Sequence, residues 1–262
     1  MPETIIVIPC YNEEKRIDLS EYAGFLKEPS LGFLFVDDGS RDNTGALLGD
    51  LARRFAGKVN VIRLNRNSGK AEAVRRGLSW AVAQGVDIVG YIDADLATPV
   101  PDVLNLLHEL RRRPCQVVMG SRVALSGRHI DRVWMRHYLG RVFSTASSLI
   151  LRATIYDTQC GAKFFKNSQA FQAAIAVPFH STWAFDVEFL GRLLVGTIRT
   201  DPIPADQIIE IPLERWRDVS GSKLSCSGMI RAGIDLVLIH RDLTRRRREK
   251  AMAERLVGAS SG

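Results

Sequence analysis

The chain has 262 residues, of which 46% are hydrophobic, and its excess of Lys and Arg over Asp and Glu gives a formal net charge of +7. This composition excludes an intrinsically disordered chain and predicts a domain with a buried core. The four cysteines lie far apart and form no Cys-x-x-Cys pair, which argues against a disulfide scaffold and against a structural zinc site.

Short β-branched runs alternate with helical spacing over the first hundred or so residues. Four segments are predicted as strands, at Thr4 to Ile8, Gly32 to Val36, Val59 to Leu64 and Asp87 to Ile92. Three segments between them have the spacing of helices, near 13–27, 42–56 and 69–84. This alternation predicts an α/β fold with a mostly parallel sheet flanked by helices, and polar residues follow the strands at the edge where such sheets bind ligands.

The second half of the chain is more basic and contains amphipathic helices. After a predicted strand at Gln116 to Gly120, a helix is predicted around Leu139 to Ala153. Residues 111–165 hold ten Arg or Lys against two Asp, a net charge of +8. The apolar face of the helix therefore has two interpretations: it faces the core, or it lies on an anionic lipid surface. A second basic cluster, Arg245 to Arg248, precedes a Gly- and Ser-rich end, and we predict a flexible tail over 244–262.

Two absences in the sequence bear on localisation. No apolar run reaches the roughly 18 residues that a membrane-spanning helix needs. The N-terminal Met-Pro-Glu-Thr has no basic region before the apolar run, unlike a secretory signal. We therefore expect a cytoplasmic protein.

The first candidate for chemistry is Asp93-Ala94-Asp95, which directly follows a predicted strand. Two carboxylates at positions i and i+2 can share a hard divalent cation and leave coordination sites for phosphate oxygens. The alternative is a pair of solvated loop acids, because an isolated Asp-x-Asp is a weak signal.

The second candidate segment runs from Val36 to Thr44, again at a strand end and before a helix. Asp42 or Asn43 is suited to cap that helix. Capping does not require Asp37 and Asp38 as well, so Asp38 is a candidate for recognition of a base.

A third polar loop, Asn65 to Lys70, precedes another helix. A helix N-terminus beside a Gly and a Lys is an arrangement that binds phosphate, and Lys70 is the candidate cation. The spacing of a P-loop is absent, which disfavours an ATPase of that kind. The alternative is a solvated loop lysine.

Together these segments form a series that resembles the family 2 nucleotide-sugar glycosyltransferases, over about Ile5 to Leu243. The early motifs are Ile8-Pro9-Cys10-Tyr11-Asn12-Glu13-Glu14, Val36-Asp37-Asp38-Gly39-Ser40, Asn67-Ser68-Gly69-Lys70, Asp93-Ala94-Asp95 and Gly120-Ser121-Arg122. The late motifs are the segments 157–165, 183–188 and 216–224. The late motifs resemble the dolichyl-phosphate β-glucosyltransferases and related polyprenyl-phosphate glycosyltransferases.

The resemblance implies a GT-A type, Rossmann-like catalytic domain over 1–243, with a nucleotide-binding half at 1–115 and a sugar and acceptor half at 116–243. It places Asp93 and Asp95 on Mg²⁺ or Mn²⁺, with Asp95 the direct ligand, and Ala94 between them at the cofactor. Residues implied in the nucleotide pocket are Pro9, Tyr11, Glu13 and Asp38. Residues implied to neutralise phosphate are Arg122, Lys70 and Lys223. Residues implied to face the sugar and the acceptor are Asp157, Gln159 and Glu188.

The reaction that the resemblance implies is an inverting transfer of a hexose, glucose from UDP-glucose, to a polyprenyl phosphate such as dolichyl or undecaprenyl phosphate. Such an enzyme would be peripheral on the cytoplasmic face of an anionic membrane. The acceptor phosphate is largely dianionic at neutral pH, so we assign no general base. One alternative is the same donor chemistry with a soluble sugar or a specialised metabolite as acceptor.

An alternative of another class is a nucleic-acid-binding protein, suggested by the basic charge and the four-arginine run. The acidic strand ends would repel a phosphate backbone, so no nucleic acid is expected. The histidines show no ligand spacing and are interpreted as surface or packing residues.

Overall fold

A computed structural model describes residues 2–17, 20–123, 129–130, 134–216 and 226–260. The strands of these segments are β1 (Thr4–Cys10), β2 (Leu31–Asp37), β3 (Val59–Arg63), β4 (Ile88–Tyr91), β5 (Val117–Ser121), β6 (His129–Ile130), β7 (Lys163–Lys166), β8 (Ile208–Pro212) and β9 (Arg215–Trp216). Seven of them form one sheet in the order β3-β2-β1-β4-β7-β5-β8, and β6 pairs with β9.

The large sheet is mostly parallel, as the alternation of strand and helix predicts. Strand β1 lies parallel to β2 and β4, β2 to β3, and β5 to β8. Strand β7 is antiparallel to both of its neighbours, β4 and β5. The five predicted strands are confirmed, whereas β7 and β8 were not predicted as strands.

The helices of the described segments are α1 (Ala23–Leu26), α2 (Thr44–Arg54), α3 (Lys70–Ala83), α4 (Val100–Arg112), α5 (Trp134–Leu151), α6 (Gln169–Ile175), α7 (Phe185–Val195) and α8 (Cys226–Ser260), with a 3-10 turn at Ala205–Gln207. The helix predicted near 13–27 is reduced to the four residues of α1, because the chain after β1 is held by the neighbouring loop. There the Glu13 amide donates to Thr44 Oγ1 at 2.8 Å. The segment predicted as a flexible tail also differs, since α8 continues through it to Ser260.

Each face of the sheet is covered by its own apolar core. Along β1, Ile5 and Val7 point to one face and Ile6 and Ile8 to the other, as the two-residue period of a strand requires. The first face packs on α3, α6 and α7, and the second on α1, α2 and α4. Helix α3 comes very close to the sheet, because a Cβ on Gly77 would lie 2.3 Å from Val7 Cγ1. This packing fixes the strand ends that carry the polar residues.

Helices α5, α7 and α8 pack against one another beside the first core. Gly191 on α7 permits the close approach of α8, since a Cβ there would lie 2.4 Å from Leu243 Cδ1. On the outer side, α5 exposes Val142 and Leu149, and α8 exposes Ile234, Val237 and Leu238. Within the described ranges, we find no helix with both the length and the apolar character needed to cross a membrane.

Candidate active site

The loops that follow β1 and β2 are joined into one unit at the carboxyl edge of the sheet. The amide of Asn12 donates to Ser40 Oγ at 3.0 Å, and the amide of Arg41 donates back to Asn12 Oδ1 at 2.9 Å. Asn12 has a φ of +53°, a left-handed conformation that asparagine tolerates better than most residues. Tyr11 lies at the exposed rim of this unit, and Pro9 is half-buried within β1.

Asp38 ties the third polar loop to the same edge. Its two carboxylate oxygens accept hydrogen bonds from the amides of Ser68 and Gly69, both at 2.8 Å. Burial raises the pKa of the Asp38 carboxyl above its usual range, although the two amides act in the opposite direction. These contacts show that Asp38 orders the loop before α3. Its role in reading a base stays a prediction.

Asp93 and Asp95 follow β4, and each carboxylate faces a different cation. Asp93 Oδ1 lies 2.5 Å from Lys70 Nζ, and Asp95 Oδ2 lies 2.6 Å from Arg16 Nη2. The backbone of Gly161 packs against Asp93, since a Cβ at this glycine would lie 2.0 Å from Asp93 Oδ2. Between the two acids, Ala94 is buried and its carbonyl oxygen accepts from the Tyr22 hydroxyl at 2.8 Å.

Glu13 adds a third carboxylate beside these two. Burial raises the pKa of the Glu13 carboxyl, Arg16 lowers it, and the negative charges of Asp95 and Asp93 raise it further. Glu13 Oε2 is buried without a hydrogen-bond partner, at 3.3 Å from Arg16 Nε. Carboxylate oxygens are the donors that Mg²⁺ and Mn²⁺ prefer, so the donor chemistry of Asp93 and Asp95 suits a hard divalent cation.

Lys70 remains a cation in this setting. Burial lowers the pKa of its ammonium group, but Asp93, Asp186 and Asp95 outweigh that effect, and the pKa is raised overall. Lys70 also begins α3, directly after the Gly69 loop that Asp38 holds. The structure therefore brings Asp38, Lys70 and the acidic pair to one edge of the sheet.

Arg122 and Asp157 form a bidentate ion pair on the other side of β4. The distances are 2.7 Å from Arg122 Nε to Asp157 Oδ2 and 2.8 Å from Nη2 to Oδ1. The Arg122 guanidinium also lies 5.2 Å from the centroid of the Trp216 ring. Burial lowers the pKa of Arg122, but the charge of Asp157 outweighs it and raises the pKa overall. Asp157 therefore holds the Arg122 guanidinium in place before any phosphate binds to it.

Strand β8 of the sheet holds the segment that carries Asp157. Glu210 on β8 accepts hydrogen bonds from the amides of Tyr156 and Asp157, at 2.7 Å and 2.8 Å. Beyond Asp157, Thr158 Oγ1 and Gln159 Nε2 are buried without a hydrogen-bond partner. Buried polar atoms are nearly always satisfied, so these two atoms are candidates for contact with a ligand.

Asp186 is a buried acid near Lys70, and the resemblance implies no role for it. Asp186 Oδ1 accepts from Lys163 Nζ at 2.6 Å and also hydrogen-bonds the Tyr91 hydroxyl. Lys163 is fully buried, and its ammonium group also donates to the carbonyl oxygen of Cys160 at 2.6 Å. Side chains alternate between the two faces of β7, and Lys163 points into the protein interior. The sequence around Lys163 does not indicate this burial.

Comparison with known proteins decides the family. The model of glycosyl transferase family 2 matches residues 5–193, most of the chain. The chain belongs to glycosyl transferase family 2. Its sheet is accordingly of the GT-A type, as the resemblance implies.

Curated relatives match most of this glycosyltransferase. The dolichyl-phosphate β-glucosyltransferase of Drosophila melanogaster is 33% identical over 90% of this chain and 74% of its own length. The human protein of the same name is 31% identical over 84% of this chain and 68% of its own. A polyprenol monophosphomannose synthase of Mycolicibacterium smegmatis is 25% identical over 86% and 82%.

Solved structures share the fold of this glycosyltransferase at lower identity. Glucosyl-3-phosphoglycerate synthase from Mycobacterium tuberculosis, in complex with Mn²⁺, UDP and glucosyl-3-phosphoglycerate, aligns with a TM-score of 0.64 at 21% identity. That alignment covers 91% of this chain and 80% of the other. A mannosyltransferase from Pyrobaculum calidifontis in complex with GDP-Man and Mn²⁺ aligns with a TM-score of 0.57 at 18% identity, over 93% and 64%.

The structure corrects the expectation that Glu188 of this glycosyltransferase faces the sugar and the acceptor. Glu188 is fully buried on α7 and accepts from the amides of His180 and Ser181, at 2.9 Å and 3.0 Å, and from Arg192 Nη2 at 2.7 Å. These partners hold the loop before α7 and the next turn of the helix. Asp186, two residues earlier in the helix, is the acid that lies near Lys70.

One group of possible metal ligands in the described segments lies between α7 and α8, although no histidine shows ligand spacing in the sequence. Ligand atoms of His180, Glu188 and Asp242 lie within 4.8 Å of one another. Glu188 is already paired with Arg192, and Asp242 accepts from Arg245 and Arg246, so arginines neutralise both acids. The group is therefore an ion-pair network between α7 and α8. Of the predicted phosphate-binding residues, Lys223 lies outside the described residues.

Proposed function

We propose that this glycosyltransferase is an inverting enzyme that transfers glucose from UDP-glucose to a polyprenyl phosphate, with a divalent metal ion. The observation that carries the donor chemistry is the acidic pair Asp93 and Asp95, placed at the carboxyl edge of β4 beside Lys70. The names of the curated relatives support a polyprenyl-phosphate acceptor and, for most of those reported, a glucosyl donor.

Donor activation would depend on charge at the diphosphate. Asp95 and Asp93 would hold Mg²⁺ or Mn²⁺, and Glu13 lies beside them. When bound, the ion would supply Lewis-acid stabilisation of the charge that develops on the leaving diphosphate. Lys70 and the fixed guanidinium of Arg122 are positioned to bind phosphate oxygens, and preorganised cations of this kind stabilise such charge without reorganising. Asp38 and Tyr11 would lie at the nucleoside.

Acceptor activation would need little from the protein. A phosphate monoester has a second pKa near 6, so it is largely dianionic at neutral pH and is already a nucleophile. Asp186 is engaged by Lys163 and Tyr91, which fits an acid that fixes local charge rather than one that removes a proton. The protein's main task would then be to position two anions side by side. Gln159 Nε2 and Thr158 Oγ1, which are buried and lack hydrogen-bond partners, would contact the sugar or the acceptor.

Residence at the cytoplasmic membrane face would come from α5 and α8. Val142 and Leu149 on α5 are 69% and 75% exposed and are seven residues apart, which puts them on one face of the helix. Ile234, Val237 and Leu238 are similarly exposed on α8. Exposed basic residues accompany both sets, namely Arg141, Arg152, Arg231, Arg241 and Arg248. Apolar side chains together with cations are the composition that binds an anionic lipid surface.

The test is a matrix of donors and acceptors with the purified protein and Mg²⁺. UDP- and GDP-sugars are each combined with dolichyl phosphate, undecaprenyl phosphate, or neither, and nucleotide release is followed with mass spectrometry of the lipids. Glucosylated lipid phosphate from UDP-glucose supports the proposal. Transfer from another donor would refute the choice of glucose, and donor hydrolysis without lipid product would refute the lipid acceptor and favour a soluble one.

A further inference from the structure

Arg16 bridges two of the carboxylates proposed for donor binding. Its Nη2 lies 2.6 Å from Asp95 Oδ2, and its Nε lies 3.3 Å from Glu13 Oε2. The other oxygen of Asp95 accepts from the amide of Ala97 at 3.2 Å. The Arg16 side chain is 45% exposed, in contrast to the 14% of Asp95, so it can leave this position without disturbing the core. No motif in the sequence singles out Arg16.

The guanidinium occupies one lone-pair site of a carboxylate that would hold the metal ion. A metal ion bound through the remaining sites of Asp95 would lie close to the guanidinium, and the two positive charges would repel each other. The ammonium group of Lys70 is likewise paired with Asp93 Oδ1. Both proposed metal ligands are therefore neutralised by side chains of the protein itself.

Asp93, Asp95 and Glu13 carry three negative charges against the two positive charges of Arg16 and Lys70, so the cluster sums to −1. A divalent ion that enters alone changes this sum to +1. The diphosphate of a nucleotide sugar brings two negative charges, which return the sum to −1 and give a displaced guanidinium a new bidentate partner.

We propose that Arg16 is an exchangeable counter-ion: it occupies Asp95 in the absence of donor and transfers to the donor diphosphate when metal and nucleotide bind together. Arg16 would thereby couple metal binding to nucleotide binding and disfavour a site loaded with metal alone. The inference rests on the proposed metal and donor chemistry, but not on the identity of the sugar or the acceptor.

The test measures Mn²⁺ binding to the full chain, with and without UDP, from the electron paramagnetic resonance signal of free Mn²⁺. For Arg16→Gln we expect Mn²⁺ alone to bind about fivefold more tightly than it does to the unmodified protein, because one partly screened positive charge is removed. The enhancement of Mn²⁺ binding by UDP should shrink by at least the same factor. Arg16→Lys, which keeps the charge, should restore most of the coupling.

Arg53→Gln is the matched control, because Arg53 also forms an exposed ion pair, with Asp50 on α2. This variant should bind Mn²⁺ as the unmodified protein does, both with and without UDP. Unchanged or weaker binding of Mn²⁺ alone by Arg16→Gln, or UDP enhancement equal to that of the unmodified protein, would overturn the inference. No sugar or lipid is present, so this result is independent of the outcome for the acceptor.

Discussion

Glu188→Gln separates a structural role of this acid from a catalytic one. The substitution keeps the shape of the side chain but removes the charge that faces Arg192, whose side chain is only 2% exposed. Removing one partner of a buried ion pair costs about 3–5 kcal/mol, because the other charge stays buried without compensation. For a domain of this size, each kcal/mol lowers Tm by about 2–4 °C. We therefore expect a loss of about 6–20 °C.

The assay pairs thermal unfolding with UDP binding in the presence of Mn²⁺, measured well below the Tm of the variant. The contacts of Glu188 lie with the loop before α7, so the affinity for UDP and the rate of sugar transfer should change little at low temperature. Glu249→Gln is the control, since Glu249 is an exposed acid of α8 at 4.0 Å from Arg245, and it should not change Tm. Normal stability of Glu188→Gln with a large loss of transfer would refute this reasoning.

Three further predictions concern the proposed metal ligands, the glycine that packs against Asp93, and the exposed apolar side chains of α5. Replacing Asp93 and Asp95 together by Asn should abolish transfer and the Mn²⁺-dependent tightening of UDP binding, measured by calorimetry, with Tm retained. Gly161→Ala should lower transfer at least tenfold in a rate assay, because its Cβ would lie 2.0 Å from Asp93 Oδ2. Val142→Glu with Leu149→Glu should reduce binding to anionic liposomes about tenfold in a sedimentation assay, without loss of stability, because both side chains are exposed.

Each of these predictions has an outcome that contradicts it. Metal-dependent UDP binding that survives in the Asp93 and Asp95 double variant would remove the metal assignment. Normal transfer by Gly161→Ala would show that Asp93 can shift without cost. Equal liposome binding by the α5 variant would place any membrane contact elsewhere, and Val177→Glu is the control because Val177 is exposed at the end of α6.

The early part of the fold is readable from the sequence because its signals are local. The runs around Ile6, Phe35 and Ile88 are β-branched or aromatic, and each is followed by polar residues that a buried strand cannot contain. In a mostly parallel sheet these strand ends meet at one edge, so Asp38, Lys70 and the acidic pair could be grouped from sequence.

The later elements depend on contacts that are distant in the chain. Strand β7 has only four residues and begins and ends with Lys, so neither its antiparallel pairing nor the burial of Lys163 has a local signal. Glu188 resembles a site residue by motif, but a helix turns residues two positions apart to different sides. That geometry sends Asp186 toward Lys70 and Glu188 toward Arg192.

Arg16 illustrates a third limit on prediction from sequence. It is one basic residue in a polar segment, and its pairing with Asp95 joins positions that are 79 residues apart. Only the three-dimensional arrangement shows that both acids of the proposed metal site already have a counter-ion from the chain.

Mass spectrometry of the lipid fraction is the most direct test of hexosyl transfer to a polyprenyl phosphate. The protein is incubated with Mg²⁺, UDP-glucose and dolichyl phosphate in anionic vesicles, beside the Asp95→Asn variant as a control. The account predicts a lipid phosphate heavier by one hexosyl residue, formed in step with UDP release and absent with the variant. UDP release by the unmodified protein without any glycosylated lipid would contradict it.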